Sequence, residues 1–275
     1  MKRPVQICVV SDIHLGTYAC HAKELLNYLK SIKPEILILN GDILDVWQFR
    51  SRHFPQVQQD LIYEIFRKSR KGTQVYYLTG NHDSFLRCYP ELKKGSFQLR
   101  NSLSLELDTG KALFLHGDKY DFSVSKFPRL AKIGGLAYDS LVYINTVVNN
   151  YLRTKGIGRL NISKTLKSSV KRAVKFMYDY EMSIINQAVN EGYSYVVCGH
   201  IHKAKVEKHE INNQLIHYLN SGDWIESLTA LEYNNSTWSI YHYDELEFAI
   251  KKIEKKAAKK YSKKQSIAKT TKVKL

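Results

Sequence analysis

The chain has 275 residues, of which 44% are hydrophobic and 25% charged, and this excludes a mostly disordered protein. No stretch of 18 consecutive apolar residues occurs, so we expect no membrane-spanning helix. The four cysteines are scattered without a CxxC pair, and Cys8 and Cys198 fall within apolar strand-like runs. We therefore expect reduced, buried thiols in a cytosolic protein.

The formal net charge of +16 is concentrated in two blocks. Residues 119–190 carry a net charge of +8 and residues 250–275 carry +10, whereas the rest of the chain carries −2. Such blocks suit phosphate-rich partners, namely nucleic acid, an anionic lipid surface or a phosphorylated substrate, and solubility alone is the alternative explanation. No ordered interleaving of aromatic and basic residues accompanies them, which gives little support for nucleic acid.

The N-terminal part of the chain alternates short apolar runs with helical patterns. Strands are predicted at residues 5–10, 36–39 and 75–78, and helices at residues 22–32 and 57–66. This rhythm is typical of an α/β (α+β) fold with right-handed crossovers.

The pattern changes after the third predicted strand. Residues 103–107 and 112–115 predict a hairpin, because Asp108-Thr-Gly separates them. Residues 119–191 show helical spacing and contain no convincing strand, so we predict a helical insertion there. Strands are predicted again at residues 195–198, 215–219, 229–233 and 239–243.

This organisation predicts three parts of the chain. The core comprises residues 1–118 and 192–249, and a basic helical cap is inserted between them at residues 119–191. Residues 250–275 form a lysine-rich tail, which we expect to be a frayed helix or a disordered arm.

Five short motifs follow predicted strands. They are Ser-Asp-Ile-His at 11–14, Asn-Gly-Asp at 40–42, Thr-Gly-Asn-His-Asp at 79–83, His-Gly-Asp at 116–118 and Gly-His-Ile-His at 199–202. Ligands bind at the carboxyl ends of strands in open α/β sheets, so we expect these turns to converge. Carboxylates, imidazoles and an amide oxygen without a thiolate suit Mn²⁺, Fe²⁺ or Zn²⁺. One such motif is a weak signal, but five in this order predict a metal site.

The order DxH, GD, GNHD, HGD, GHxH resembles the calcineurin-like metallophosphoesterase superfamily over about residues 5–245. The resemblance implies a four-layer α-β-β-α sandwich that binds two divalent metal ions, with Mn²⁺ as the first choice and Fe²⁺ or Zn²⁺ as alternatives. The residues that it implies as ligands are Asp12, His14 and His202 for the first metal, Asn81, His116 and His200 for the second, and Asp42 as a bridge between both.

The resemblance also implies an acid–base pair beside the metals. His82 matches the position of a residue that contacts the phosphate or protonates the leaving oxygen. We expect Asp83 to orient His82, as carboxylates often orient catalytic imidazoles. Two divalent cations would neutralise the phosphate and activate water for in-line attack.

Within the superfamily the chain is similar to the UDP-2,3-diacylglucosamine pyrophosphatases of lipid A biosynthesis. The similarity lies in the chain length, the basic insertion, Ser-Asp-Ile-His-Leu-Gly at 11–16 and Gly-Asp-Ile-Leu-Asp-Val-Trp at 41–47. It implies hydrolysis of UDP-2,3-diacylglucosamine to lipid X and UMP by a cytoplasmic enzyme that is peripheral on the inner face of the cytoplasmic membrane. Basic residues of the cap and tail would meet the anionic membrane surface. The substrate contacts that it suggests are Asn81, His82, Asp121, Ser163, Lys164 and Lys167.

Two departures from that family lie beside the expected phosphate position. His82 stands where its well-studied members carry Arg, and Lys119-Tyr-Asp-Phe replaces a Cys-Thr-Asp-Asp-type stretch. The alternative is therefore a paralogous enzyme that acts on another nucleotide or phospholipid phosphodiester. A nucleic-acid enzyme and a non-catalytic scaffold of the same fold are further alternatives, but a scaffold predicts eroded ligand positions, and all seven hold ligand-type residues.

Overall fold

A computed structural model describes residues 2–49, 54–89, 92–121, 163–246 and 248. The strands, in chain order, are β1 (Arg3–Val10), β2 (Ile32–Asn40), β3 (Gln74–Leu78), β4 (Lys93–Lys94), β5 (Phe97–Arg100), β6 (Ser102–Leu107), β7 (Gly110–Leu115), β8 (Tyr195–Cys198), β9 (Lys205–Ile211), β10 (Gln214–Asn220), β11 (Thr229–Asn234) and β12 (Thr237–His242). The α-helices are α1 (Ala22–Ser31), α2 (Gln56–Arg70) and α3 (Ser163–Asn190).

These strands form two sheets. The first has the order β12-β11-β1-β2-β3-β5-β4, in which β1, β2, β3 and β5 run parallel. The second has the order β6-β7-β8-β10-β9, in which β7, β8 and β10 run parallel. The remaining pairings are antiparallel and include the β6–β7 hairpin, which confirms the predicted turn at Asp108-Thr-Gly.

Helices α1 and α2 cover the outer face of the first sheet. α1 buries Leu25 and Leu29, and α2 buries Leu61 and Ile65, so each pair is spaced four residues apart on one helical face. They pack with strand residues such as Val10, and together they form the first apolar layer.

A second apolar layer fills the space between the two sheets. Val9, Ile38 and Leu231 reach it from the first sheet, and Phe114 and Val197 reach it from the second. All five side chains are fully buried. Strands covered on both faces tend to have continuous apolar runs, which explains why β1, β2 and β8 were recognisable in the sequence.

The C-terminal half of α3 covers the outer face of the second sheet. Tyr180, Ile184 and Ala188 of α3 pack there with Val196 and Ile216. The order of layers is therefore α-β-β-α, which confirms the predicted fold class. Among the described residues, no helix combines the length and apolarity required to cross a bilayer.

Three strands were not predicted from the sequence. β9 is an edge strand with mostly exposed or half-buried side chains, so it lacks an apolar run. β4 and β5 are only two and four residues long. Residues 122–162 of the predicted cap and residues 250–275 of the predicted tail lie outside the described residues.

Candidate metal centre

The five motifs lie together at one edge of the sandwich, where β1, β2, β3, β7 and β8 end. Backbone hydrogen bonds join the turns directly: the Asp12 amide donates to the Gly41 carbonyl at 3.1 Å, and the Gly199 amide donates to the His116 carbonyl at 3.1 Å. The convergence expected from parallel strands is therefore present, both within each sheet and between them.

Five candidate ligands have backbone conformations that are unusual for residues other than glycine. Their φ angles lie between +52° and +68°, in the left-handed region, and the residues are Asp12, His14, Asp42, His200 and His202. Such conformations are uncommon outside glycine and concentrate at functional sites. They turn the chain sharply after β1, β2 and β8.

Two glycines of the motifs allow a close approach between strand ends. A Cβ atom on Gly80 would overlap the backbone and carboxylate of Asp42, and a Cβ atom on Gly41 would overlap the His116 ring. Gly41 also has a φ of +86°. The motifs therefore need glycine at these two positions, because a side chain would push the candidate ligands apart.

The first cluster of candidate ligands comprises Asp12, His14 and His202. One ligand atom from each lies within 4.8 Å of the others. Asp12 is fully buried, and its Oδ1 lies 3.2 Å from His202 Nε2. The Asp12 Oδ2 accepts a hydrogen bond of 3.1 Å from the His200 amide, which links this cluster to the second.

The second cluster comprises Asp42, His116 and His200, again with ligand atoms within 4.8 Å of one another. Asp42 Oδ2 lies 3.2 Å from His116 Nε2. His116 Nδ1 donates to the Asn40 carbonyl at 2.9 Å, an arrangement that leaves the Nε2 lone pair for a metal. Asn81 follows β3 nearby and is buried, as an amide ligand to this cluster would be.

Several candidate ligand atoms are buried without a hydrogen-bond partner among the described residues. These atoms are His14 Nε2 and Asn81 Oδ1, together with Asp12 Oδ1 and His116 Nε2, which each lie 3.2 Å from another candidate ligand but not in hydrogen-bonding geometry. A buried polar atom without a partner costs about 1–3 kcal/mol, so such atoms in one place indicate that the site is built for a cation. Oxygen and imidazole donors without thiolate fit divalent ions such as Mn²⁺, Fe²⁺ or Zn²⁺.

The charges of the carboxylates also favour a cation here. Burial alone would lower the pKa of His202, but the Asp12 carboxylate outweighs burial and raises the pKa of His202 to about 9. Burial and the Asp42 carboxylate oppose each other in the same way at His116, and its pKa is raised well above the ordinary value. The negative field that holds protons on these imidazoles would attract a divalent cation equally.

His82 lies beside both clusters. Its amide donates to Asp42 Oδ1 at 2.8 Å, its Nδ1 lies 2.9 Å from Asp45 Oδ2, and its ring packs against the Trp47 ring with centroids 4.2 Å apart. Asp45 Oδ2 also lies 3.0 Å from His14 Nδ1. One buried carboxylate therefore contacts both a candidate ligand and the candidate acid.

Asp83 is fully buried, and the hydrogen bonds of its carboxylate go to residues other than His82. Its Oδ2 accepts hydrogen bonds from the Tyr77 hydroxyl at 2.7 Å and the Ile43 amide at 2.9 Å, and its Oδ1 accepts one from the Gly80 amide at 2.6 Å. Asp83 therefore ties the turn after β2 to the turn after β3. The carboxylate of Asp45 lies 2.9 Å from His82 Nδ1, and that of Asp42 lies 4.0 Å from His82 Nε2.

The structure describes the side chains of only some of the predicted substrate contacts. Asp121 is buried, and its Oδ2 lies 3.0 Å from His200 Nε2, so it orients a candidate ligand. Ser163, Lys164 and Lys167 fall on the first turns of α3, and their side chains lie outside the described residues.

Sequence reasoning missed the part played by Asp45 and Trp47. Both occur within the stretch 41–47 that carries the family resemblance, so a signal was present. It also missed the supporting residues at the end of β10, a strand that it did predict: the Asn220 side-chain amide donates to the Gly199 carbonyl at 2.7 Å, and the Ser221 and Ser11 hydroxyls lie 2.7 Å apart.

The comparisons with known proteins agree with this geometry. The model of the calcineurin-like phosphoesterase family matches residues 5–204. A UDP-2,3-diacylglucosamine hydrolase of Aliivibrio fischeri is 22% identical over 86% of this chain and 97% of its own length. The protein of the same name from Porphyromonas gingivalis is 27% identical over 44% of this chain and 49% of its own length.

A likeness to solved structures was also found. An archaeal phosphodiesterase is 15% identical, with a TM-score of 0.41, over 86% of this chain and 98% of its own length. The family model covers most of the chain, including all five motifs. The chain belongs to the calcineurin-like phosphoesterase family and is a metal-dependent hydrolase of phosphoester bonds.

Proposed function

We propose that this protein hydrolyses the pyrophosphate bond of a nucleotide-linked lipid, UDP-2,3-diacylglucosamine or a close relative, to a lipid phosphate and UMP. The observation that carries the reaction class is the pair of adjoining ligand clusters, linked by the His200 amide on Asp12 Oδ2 and by the His14 amide on the Asp42 carbonyl. The substrate is supported by the relatives named UDP-2,3-diacylglucosamine hydrolase, which match most of the chain.

Seven residues would hold two divalent cations, with Mn²⁺ as the first choice. Asp12, His14 and His202 would bind one, Asn81, His116 and His200 would bind the other, and Asp42 would bridge them. When bound, two such ions supply neutralisation of the phosphate charge and a nucleophile derived from water.

His82 would hold and deliver the proton of the leaving group. Its contact with Asp45 supports this role, because a carboxylate at Nδ1 fixes the ring orientation and turns Nε2 toward the reaction. Burial would lower the pKa of His82, but the carboxylates of Asp45 and Asp42 outweigh burial and raise it, which favours the protonated form that an acid needs. The Trp47 ring restricts the movement of His82.

The substrate would be held by groups around the metal centre. Asn81, His82 and Asp121 line the phosphate side, and Ser163, Lys164 and Lys167 of the basic cap would meet the diphosphate or the lipid. The enzyme would work at the cytoplasmic face of the membrane, where its basic cap and tail meet anionic lipid.

A paralogous activity on another nucleotide or phospholipid phosphodiester is the second candidate. His82 favours it, since the residue at this position lies beside the reacting phosphate and differs from the lipid A family's Arg. The identities of 22–27% to the curated relatives also allow a change of substrate.

Turnover by the full chain loaded with Mn²⁺ tests the proposal. UDP-2,3-diacylglucosamine in detergent should be cleaved to UMP with a kcat/KM at least about a hundredfold above that for bis(p-nitrophenyl) phosphate, because only the natural substrate uses binding energy from its remote parts. Comparable values for the two substrates would favour the paralogous activity. Parallel assays with Fe²⁺ and Zn²⁺ would identify the preferred metal.

A further inference from the structure

A cleft of about 410 Å³ lies beside the metal centre, between the start of β6, the end of β7 and the last turns of α3. The metal-ligand candidate His116 and the following residues form its inner end. The side chains of Leu113 and Leu115 lie along it, and both are more than nine-tenths buried. A group bound here would therefore rest on an apolar floor next to a phosphate at the metals.

The walls of this cleft are polar but carry no net charge. Arg87 and Lys119 are balanced by Asp118 and Glu191, and Arg87 Nη2 donates to Asp118 Oδ2 at 2.8 Å. A subsite for a second phosphate would carry surplus positive charge, and a subsite for an acyl chain would be apolar throughout. The cleft therefore suits an uncharged polar group.

Amide and hydroxyl groups on both walls give the cleft hydrogen-bonding capacity for such a group. Asn101 Oδ1 accepts a hydrogen bond from the Thr79 hydroxyl at 2.9 Å, so its NH₂ faces away from that bond and can donate. On the other wall, the Tyr120 hydroxyl donates to Gln187 Oε1 at 2.7 Å, and Gln187 Nε2 donates to Glu191 Oε1 at 2.6 Å, which leaves one N–H of Gln187 for a bound group. A flat heterocycle with carbonyl acceptors matches an apolar floor, an aromatic ring and two amides.

We propose that this cleft is the nucleoside subsite, in which the uracil and ribose of the nucleotide product lie while its phosphate is held at the metals. This inference rests on the proposed function and assigns the leaving nucleotide to the Asn101–Gln187 side of the centre.

Calorimetric binding of UMP and of ribose 5-phosphate to the Mn²⁺-loaded full chain tests the subsite. Both ligands bring a ribose 5-phosphate ester to the metals, so the ratio of their dissociation constants reports the uracil alone. UMP should bind at least about tenfold more tightly, since each good polar contact contributes about 1 kcal/mol. Equal affinities, or no binding of either ligand, would overturn the subsite.

Variants of the two walls make the test specific. In the double variant Asn101→Ala/Gln187→Ala the preference for UMP should fall below about threefold. Asn186→Ala, which changes an exposed amide on the neighbouring position of α3, is the matched control and should keep the full preference. A preference that survives in the double variant would also contradict the proposal.

The outcomes separate this inference from the proposed function. Cleavage of UDP-2,3-diacylglucosamine without any preference for UMP would leave the proposed function standing and reject the subsite. A UMP preference lost in the double variant, without cleavage of that lipid, would support the subsite and point to another nucleotide-linked substrate.

Discussion

Five candidate ligands of the metal centre also have unusual backbone conformations. Asp12, His14, Asp42, His200 and His202 all adopt left-handed φ angles, which cost about 1 kcal/mol or more for a residue with a Cβ atom. The strained turns are held by their hydrogen bonds to one another, such as Ile13 and His14 amides on the Asp42 carbonyl at 3.0 Å. The core thus supports a geometry that the isolated turns would not adopt.

Asp42→Ala is expected to lower the turnover rate at least about a thousandfold, or about 4 kcal/mol of barrier. The variant loses the carboxylate that contacts His116 and the His82 amide and that would bridge the two metal ions in the proposed arrangement. Elemental analysis should show metal in the wild type and depletion in the variant. Asp60→Ala, an exposed change on α2, is the control, and near-normal turnover in Asp42→Ala would refute the two-metal arrangement.

His82→Ala is expected to lower turnover by about a hundredfold to ten-thousandfold, the usual contribution of a general acid, while metal content stays near that of the wild type. The reason is that the family resemblance gives His82 an acid role and no ligand role, although its ring also lies in a third group of potential ligand atoms with His14 and Asp45. His21→Ala serves as a control, since this imidazole lies on the surface. Metal lost in proportion to rate would instead identify His82 as a ligand.

His82→Arg extends this test to the substrate, because it introduces the residue that the lipid A family carries. A gain in kcat/KM for UDP-2,3-diacylglucosamine would place the chain near that family. A loss would favour the paralogous activity.

The identity of the candidate ligands was predictable from the sequence, but their partners were not. Residue type and position after an apolar run are local properties, and they singled out the motifs that contain Asp12, His116 and His200, to which the family resemblance then gave ligand roles. Whether His82 is oriented by Asp83 or Asp45 depends on which way two turns face in the folded chain. Asp83 follows His82 directly, yet its side chain points to Tyr77 and the Gly80 amide.

At the level of elements, burial on both faces made a strand predictable. β1, β2 and β8 are covered by helices on one side and by the other sheet on the other, and the runs 7–10 of β1, 36–39 of β2 and 195–198 of β8 are continuously apolar. β9 forms the edge of its sheet, and its alternation of Lys, Glu and His gives no such signal. Charged edge strands also resist unwanted pairing with other chains.

The buried lysine of α2 gives stability a predictable pH dependence. Lys68 is 4% exposed, and its Nζ donates to the Ile32 carbonyl at 2.8 Å. Burial lowers the pKa of Lys68 from 10.5 to about 8, and nearby Lys2 adds to this effect. Between these pH values the unfolded chain holds a proton that the folded chain has released, so stability rises with pH.

The free energy of unfolding of the wild type should therefore increase relative to that of Lys68→Met between pH 8 and pH 10, by up to about 1.4 kcal/mol per pH unit. Urea unfolding at several pH values measures it. Lys71→Met, at an exposed neighbouring position, is the control and should follow the wild type. Parallel curves for Lys68→Met and the wild type would show that the lysine stays charged in the folded state.

At the scale of the whole molecule, most motifs of the metal centre and most of the surplus positive charge belong to different segments of the sequence. The core that holds the metal centre is nearly neutral, and the surplus positive charge belongs to residues 119–190 and 250–275. Chemistry at the centre depends on contacts within a few ångströms, whereas attraction to a charged surface acts over about a Debye length. The two functions should therefore respond to different changes.

Deletion of residues 250–275 is expected to weaken binding to vesicles that contain anionic lipid, more at low salt than at high salt. The deleted segment carries a net charge of +10, and each lysine near an anionic surface contributes about 1 kcal/mol before screening. Hydrolysis of bis(p-nitrophenyl) phosphate should stay almost unchanged, because the five motifs end at residue 202. Vesicles of neutral phosphatidylcholine are the control and should bind both proteins weakly. Vesicle binding that survives the deletion at low salt would show that the tail does not tether the protein to the membrane. Binding of duplex DNA that is lost with the tail would instead indicate a nucleic-acid partner.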